Sequence, residues 1–264
     1  MSRSEKLQSL RRWAPHLAAG IVLAVLLAWD RPIYDAIQVF SNPFLNVLTT
    51  IVAQMRGAVF PILVAVSLIA WGVLRSRTKF WRAGIALLLV LMLSGAVVSI
   101  LKPTFARSGP GHQTIPKPGK SWIASRYGRF PSSHAALLFG SATALAVFLP
   151  ATAPAGFGVA LLVCYERLYR DAHYPSDIFA GAWIGILIAK FVVGWLARRE
   201  SWRDDLSPFW LHRRRSRREE TPAPSALGGP MEIGTAVRSP APSLHATLPP
   251  MVDGIDLTGP ELSG

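Results

Sequence analysis

An all-α bundle of six membrane-crossing helices is the architecture to expect from this chain. Charge is scarce, uncharged runs are long, and the lysines and arginines fall between those runs in a one-sided way. Of its 264 residues 51% are hydrophobic and 16% charged, against about 25% charged in soluble domains. Mean hydropathy is positive, +0.33, and the deficit of charge is concentrated in stretches that read as membrane spans. The formal net charge of +13 suits nucleic acid, acidic lipid or an anionic substrate. Nucleic acid is the weaker reading, since the basic residues separate apolar runs and build no recognition motif or amphipathic face. With Cys164 as the one cysteine, no intrachain disulfide forms.

Residues 13–29 are an apolar run behind Arg3, Lys6, Arg11 and Arg12. Leu26, Leu27 and Ala28 make a poor small-x-small cleavage site, so we read a retained first span bracketed by the interfacial Trp13 and Trp29. Residues 30–56 mix polar and apolar positions and predict an outer connection with a short helix. Residues 57–74 and 83–101 are uncharged and long enough to cross about 30 Å of hydrocarbon at about 1.5 Å per residue. Between them lies a basic loop with Arg75, Arg77, Lys79 and Arg82. Residues 135–165 also carry no charge, yet as one helix they would run about 46 Å. Pro150 and Pro154, with Gly156 and Gly158 just beyond, predict a turn that divides this stretch into a hairpin of two helices. Residues 178–197 are the sixth span, with Lys190 near enough to its inner end to snorkel.

The Lys/Arg census sets orientation. Residues 1–12, the 75–82 loop and the basic segment from Arg198 to Arg218 fall on one side, which places both termini in the cytoplasm of a multi-pass protein, as in a bacterial inner (plasma) membrane. The domain reading follows: 1–12 a cytoplasmic segment, 13–200 the membrane domain, 201–264 a cytoplasmic basic segment and tail. After Glu220 the composition turns to Pro, Gly, Ala and Ser, and residues 219–264 are expected to be disordered because they cannot bury enough surface to offset their ordering entropy. One segment breaks the charge rule. Residues 102–130, expected outside, carry Lys102, Arg107, Lys117, Lys120, Arg126 and Arg129, and an anionic substrate would explain them.

The residues that suggest chemistry fall in three clusters, at 102–110, 131–134 and 167–177, all at outer helix ends in the six-span topology. Pro131-Ser132-Ser133-His134 opens the fourth span, where a helix N-terminus and two hydroxyls offer donors to a phosphate and His134 could protonate a leaving oxygen. The same residues also make an ordinary N-cap. In the third cluster His173 lies just ahead of the sixth helix and Asp177 four residues on. A carboxylate on one imidazole nitrogen fixes the tautomer and stabilises charge that develops when the other attacks. Arg167 supplies a fork that fits phosphate oxygens. The plainer alternative is an interfacial arginine and a capping aspartate. Gly181 and Gly185 share a helix face with Asp177, and we read them as close-packing positions. His16, His112, His212 and His245 have no matching partners in sequence.

Together these residues resemble the type 2 phosphatidic acid phosphatase superfamily of lipid phosphate phosphatases and vanadium haloperoxidases. Its signature is Lys-x6-Arg-Pro, then Pro-Ser-Gly-His, then Ser-Arg-x5-His-x3-Asp. Here the counterparts are Lys102 to Pro110, Pro131 to His134, and Glu166-Arg167 through His173 to Asp177; the resemblance covers roughly residues 15–197. It implies His173 as a nucleophile forming a phosphohistidine, His134 as the acid and later base, and Asp177 as the orienter of His173. Lys102, Ser132, Ser133 and Arg167 would hold the phosphate. It implies no metal and no other cofactor, with a lipid phosphate or lipid diphosphate as substrate, polyprenyl or phosphatidate-like.

The chain departs from the signature at three positions. Gly109 stands where the first motif has Arg, and Arg107 is the candidate to reach the phosphate instead. Ser133 replaces Gly. Glu166 replaces Ser, and its carboxylate would either repel phosphate or pair with a nearby base. A phosphotransferase of the same fold and an inactive homologue with a binding or transport role are the alternatives to a phosphatase.

Overall fold

This computed structural model describes residues 3–40, 42–55, 57–111 and 128–206. The chain divides into two units, residues 1–221 and 222–264, and all of the second lies outside the described residues. So do the expected disordered tail, Lys117, Lys120, Arg126, His112, His212 and His245.

Among the described residues every regular element is helical. They are α1 (Arg3–Val39), α2 (Pro43–Val52), α3 (Val59–Leu74), α4 (Thr78–Phe105), α5 (Ser133–Phe148), α6 (Ala153–Tyr169), α7 (Pro175–Leu196) and the single turn α8 (Glu200–Arg203). Three helical segments are long and apolar enough to cross a membrane: Trp13–Val39, Thr78–Phe105 and Pro175–Leu196. A fourth span results if the bent pair Pro43–Met55 and Val59–Leu74, at 51° to each other, counts as one. Leu17, Ile21, Leu63, Val66, Met92 and Phe191 all point outward and are exposed, as expected where hydrocarbon replaces water around a bundle. The protein is an integral membrane protein.

Two boundaries follow from local chemistry. Leu149 leaves the helical region, and a 3₁₀ turn, Pro150–Thr152, reverses the chain between α5 and α6. This is the hairpin the paired prolines predict, and it returns the end of α6 to the level at which α5 begins. The first helix differs from expectation. It does not stop at Trp29 but continues through Asp30, Arg31 and Pro32 to Val39. Charge ends an apolar run, whereas a helix ends only where its backbone bonding ends; here the following Asn42 caps α2 by accepting from Leu45 N–H at 2.9 Å.

Helices α4, α5 and α7 form the centre. Ala86, Val90, Ala144, Phe148, Ala189 and Val193 interlock at the end remote from the site, where Trp202 and Leu206 also pack. The packed body therefore runs past residue 200. Helix α3 lies on α4 through Ala65 and Leu87. On the other side of α5, Leu138 meets Ala160 and Val163 of α6 and Val52 of α2. Helix α1 lies against α7 and α6.

Gly181 and Gly185 let α7 and α5 touch backbone to backbone. A Cβ on Gly181 would lie 2.2 Å from the Ser132 carbonyl oxygen, and one on Gly185 2.1 Å from that of Ala136. The close-packing role read for both glycines is what the structure gives them.

Candidate active site

The contact of α5 with α7 sets the spacing of two histidines. Ser132 N–H donates to the Asp177 carbonyl at 2.9 Å, which ties the start of α5 to the first turn of α7. Ser132 Oγ in turn accepts from Ala135 N–H at 3.4 Å as the N-cap of α5. The rings of His134 and His173 consequently lie 6.3 Å apart, centre to centre, inclined at 66°. His173 is 3% exposed, while Ser133 and His134 are half-buried at the helix start, the positive end of its dipole.

Asp177 is fully buried and works in three directions. Its Oδ2 accepts from Tyr174 N–H at 2.8 Å, capping α7, and stands 3.5 Å from His173 Nδ1, at the outer limit of a hydrogen bond. Its Oδ1 accepts from Arg107 Nη1 at 2.8 Å. The side chain that caps α7 is thus also the carboxylate beside His173 Nδ1. Because Nδ1 faces the carboxylate, Nε2 is the nitrogen left to face a substrate.

Arg107 sits between two carboxylates. Besides Asp177 it donates from Nη2 to Asp30 Oδ2 at 2.7 Å and from Nη1 to Ser176 Oγ at 2.6 Å, and its guanidinium lies 4.8 Å above the Tyr174 ring. Asp30 also accepts from Ser176 N–H at 2.8 Å and from Ser176 Oγ at 2.5 Å. The expectation that Arg107 reaches the phosphate in place of Gly109 therefore meets a guanidinium already engaged by Asp30, Ser176 and Asp177. Asp30 was not legible as a site residue because the first span was ended one residue before it. An acidic side chain within a long membrane helix is the signal that marks it.

Glu166, fully buried, pairs with Arg167, Oε2 to Nε 2.9 Å, and with Arg170, Oε1 to Nε 3.5 Å. Of the two outcomes open for this carboxylate, pairing with a neighbouring base is the one observed. The Arg167 carbonyl accepts from Ala172 N–H at 3.0 Å and His173 N–H at 3.3 Å, which fixes the turn that presents His173. Tyr34 Oη donates to Asp171 Oδ1 at 2.5 Å, holding that turn against α1.

Lys102 closes the site from the end of α4. Its side chain runs past Gly128, where an added Cβ would lie 3.2 Å from Lys102 Cβ. Burial holds His173 below the usual imidazole range, and the nearby cations Lys102 and Arg129 push the same way, while Asp177 opposes them. The net direction favours a neutral imidazole, the form that can attack an electrophile. Lys102, Ser132, Ser133, His134, Arg167, His173 and Asp177 thus gather at one end of the bundle.

The chain is similar to known proteins in sequence and in fold. Two curated relatives match in part. One is a lipid A 1-phosphatase of Rhizobium johnstonii, 30% identical over 117 residues, 40% of this chain and 46% of that protein. The other is the bacitracin transport permease protein BcrC of Bacillus licheniformis, 36% identical over 72 residues, 27% of this chain and 35% of that protein. The chain thus spans under half the length of the curated relatives it matches. In fold it is similar to a PAP2 type phosphatidylglycerolphosphate phosphatase from Bacillus subtilis, with a TM-score of 0.52 and 22% identity, covering 68% of this chain and 94% of that one. Residues 83–201, which run from within α4 to the start of α8 and include Lys102, His134, His173 and Asp177, match the PAP2 superfamily.

Proposed function

We propose that this protein is a membrane lipid phosphatase that hydrolyses a phosphomonoester or diphosphate on a lipid through a phosphohistidine at His173. The observation that carries the reading is His173, buried, backed by Asp177 on Nδ1 and facing His134 across 6.3 Å. His173 Nε2 attacks phosphorus and the bond to the leaving oxygen breaks as His134 supplies its proton. Water then attacks the phosphohistidine with His134 as base, the P–N bond breaks, and inorganic phosphate leaves. Lys102, Ser132, Ser133 and Arg167 hold the phosphoryl oxygens. Asp30 and Asp177 are each paired with Arg107 and with a backbone N–H donor, and the proposed reaction uses no metal.

A lipid fits the surroundings of the site. An apolar cleft between α1, α4 and α7, lined by Leu23, Leu101, Phe105, Phe130 and Phe179, reaches Pro131, directly before the Ser132–His134 turn. The names of the phosphatase relatives point to the same substrate class. We further propose six spans, the site at the outer face, both termini cytoplasmic, and the division at 12 and 200 into cytoplasmic N-terminal segment, membrane domain and cytoplasmic tail.

The test is an assay of the purified protein in detergent against lipid monophosphates and diphosphates, with and without excess chelator. Activity should survive the chelator. His173→Ala should abolish turnover and any trapped phosphoenzyme. His134→Ala should slow lipid substrates but matter less for an activated aryl phosphate, whose leaving group needs little protonation. Since His173 is held below 6.5, its neutral form persists below that pH, and the acidic limb of kcat/KM should fall there. A wild-type enzyme inactive on every lipid phosphate, or full activity in His173→Ala, would refute the reading.

A further inference from the structure

Gly109 removes a side chain from the first cluster, and the space is not empty. A Cβ at Gly109 would lie 3.2 Å from Arg129 Cγ and 2.8 Å from the Ala172 carbonyl oxygen. The stem of Arg129 therefore crosses the place where a residue-109 side chain would begin, beside the turn that presents His173. Arg129 N–H donates to the Arg107 carbonyl at 3.0 Å, which lays residues 128–130 alongside 107–109. Its route into the site is thus fixed by backbone.

The charge environments of the two arginines differ sharply. Arg107 is matched by Asp30 and Asp177. Arg129 forms no ion pair among the described residues, and its buried Nε has no hydrogen-bond partner there. A half-buried guanidinium with an unmet donor costs free energy unless an acceptor arrives. It lies close enough to His173 to disfavour the imidazolium, together with Lys102. Two cations, Lys102 and Arg129, that both act on one imidazole make a seat for an anion.

We propose that Arg129 is a phosphate-binding residue that fills the place left by Gly109, while Arg107 is a positioning residue clamping Asp177. This rests on the phosphatase reading above and adds to it a residue outside all three motifs. Glycine at 109 is what admits Arg129, so the two positions form one unit.

Inorganic phosphate is the probe, its binding to the full-length protein in detergent measured by calorimetry and by competition with hydrolysis of a short-chain lipid phosphate. Arg129→Ala should weaken phosphate about ten- to hundredfold, the worth of a charge-assisted hydrogen bond. Arg129→Lys should fall between Ala and wild type, and millimolar guanidinium should restore binding to the Ala variant alone. Gly109→Ala should weaken phosphate too, with little added loss in the double variant. Should Arg129→Ala fail to fold, Arg129→Gln keeps the stem and reads the same loss. Wild-type affinity in a folded Ala or Gln variant overturns the proposal and leaves the phosphatase reading standing. A wild-type protein that neither binds phosphate nor hydrolyses any lipid phosphate overturns both.

Discussion

The Arg107 guanidinium between the carboxylates of Asp30 and Asp177 decides how firmly His173 is held, because one oxygen of Asp177 is fixed by Arg107 and the other faces the imidazole. Asp30, 4% exposed, never meets the histidine, yet it fixes Arg107 and the Ser176 N–H. Removing one partner from a buried charge network leaves an uncompensated charge and costs about 3–5 kcal/mol. Asp30→Ala should therefore lower the thermal unfolding midpoint in detergent. Asp30→Asn keeps an oxygen for Ser176 N–H and loses the charge. It should stay folded and lower kcat at nearly unchanged KM, as expected of a group acting through Asp177. An unchanged kcat in a folded Asp30→Asn protein would remove Asp30 from the site. The sequence could not supply this residue by spacing: Asp30 and Ser176 are 146 positions apart, and only the packing of α1 on α7 brings them together.

At the scale of elements, the site depends on how closely α5 approaches α7. With a Cβ at Gly181 falling 2.2 Å from the Ser132 carbonyl oxygen, Gly181→Ala must push the start of α5 away, at an overpacking cost of about 1–3 kcal/mol. The same shift carries His134 from His173, and misplacement of about 1 Å can cost about 100-fold in rate. Gly95→Ala is the control, since nothing lies within 4 Å of a Cβ there; it should hold its activity and gain up to about 1 kcal/mol from helix propensity. Equal behaviour of the two variants would show that close approach at Gly181 does not set the geometry. The four-residue steps from Asp177 to Gly185 and the paired prolines were readable because helix period and proline chemistry are local. The end of α1 was not, since hydropathy reports the thickness of hydrocarbon and not the length of a helix. Arg129 was visible only as one of six misplaced charges until the structure laid it over Gly109.

For the whole molecule, the fold must bring residues from α1, α4, α5, α6 and α7 to one end of the bundle. It does so because the chain reverses at Pro150–Thr152, so that the start of α5 and the end of α6 share a level. The opposite end holds Arg82 against Asp205 at 2.5 Å, with Trp81 and Trp202 in edge contact. In the six-span reading the first end faces outward and the second the cytoplasm, where the Lys/Arg rule places the 75–82 loop. Single cysteines in a background lacking Cys164 separate these faces. Thr104→Cys and Arg170→Cys, both at exposed positions of the site end, should react with an impermeant thiol reagent added to intact cells. Ser76→Cys and Arg77→Cys, exposed at the other end, should react only after the membrane is opened. Labelling of Thr104→Cys and Arg170→Cys from opposite sides would break the common site as well as the topology, because Lys102 and His173 could then no longer serve one phosphate. Labelling of all four from the side opposite to that expected would invert the protein while leaving the site intact, and would move the proposed reaction to the cytoplasmic leaflet.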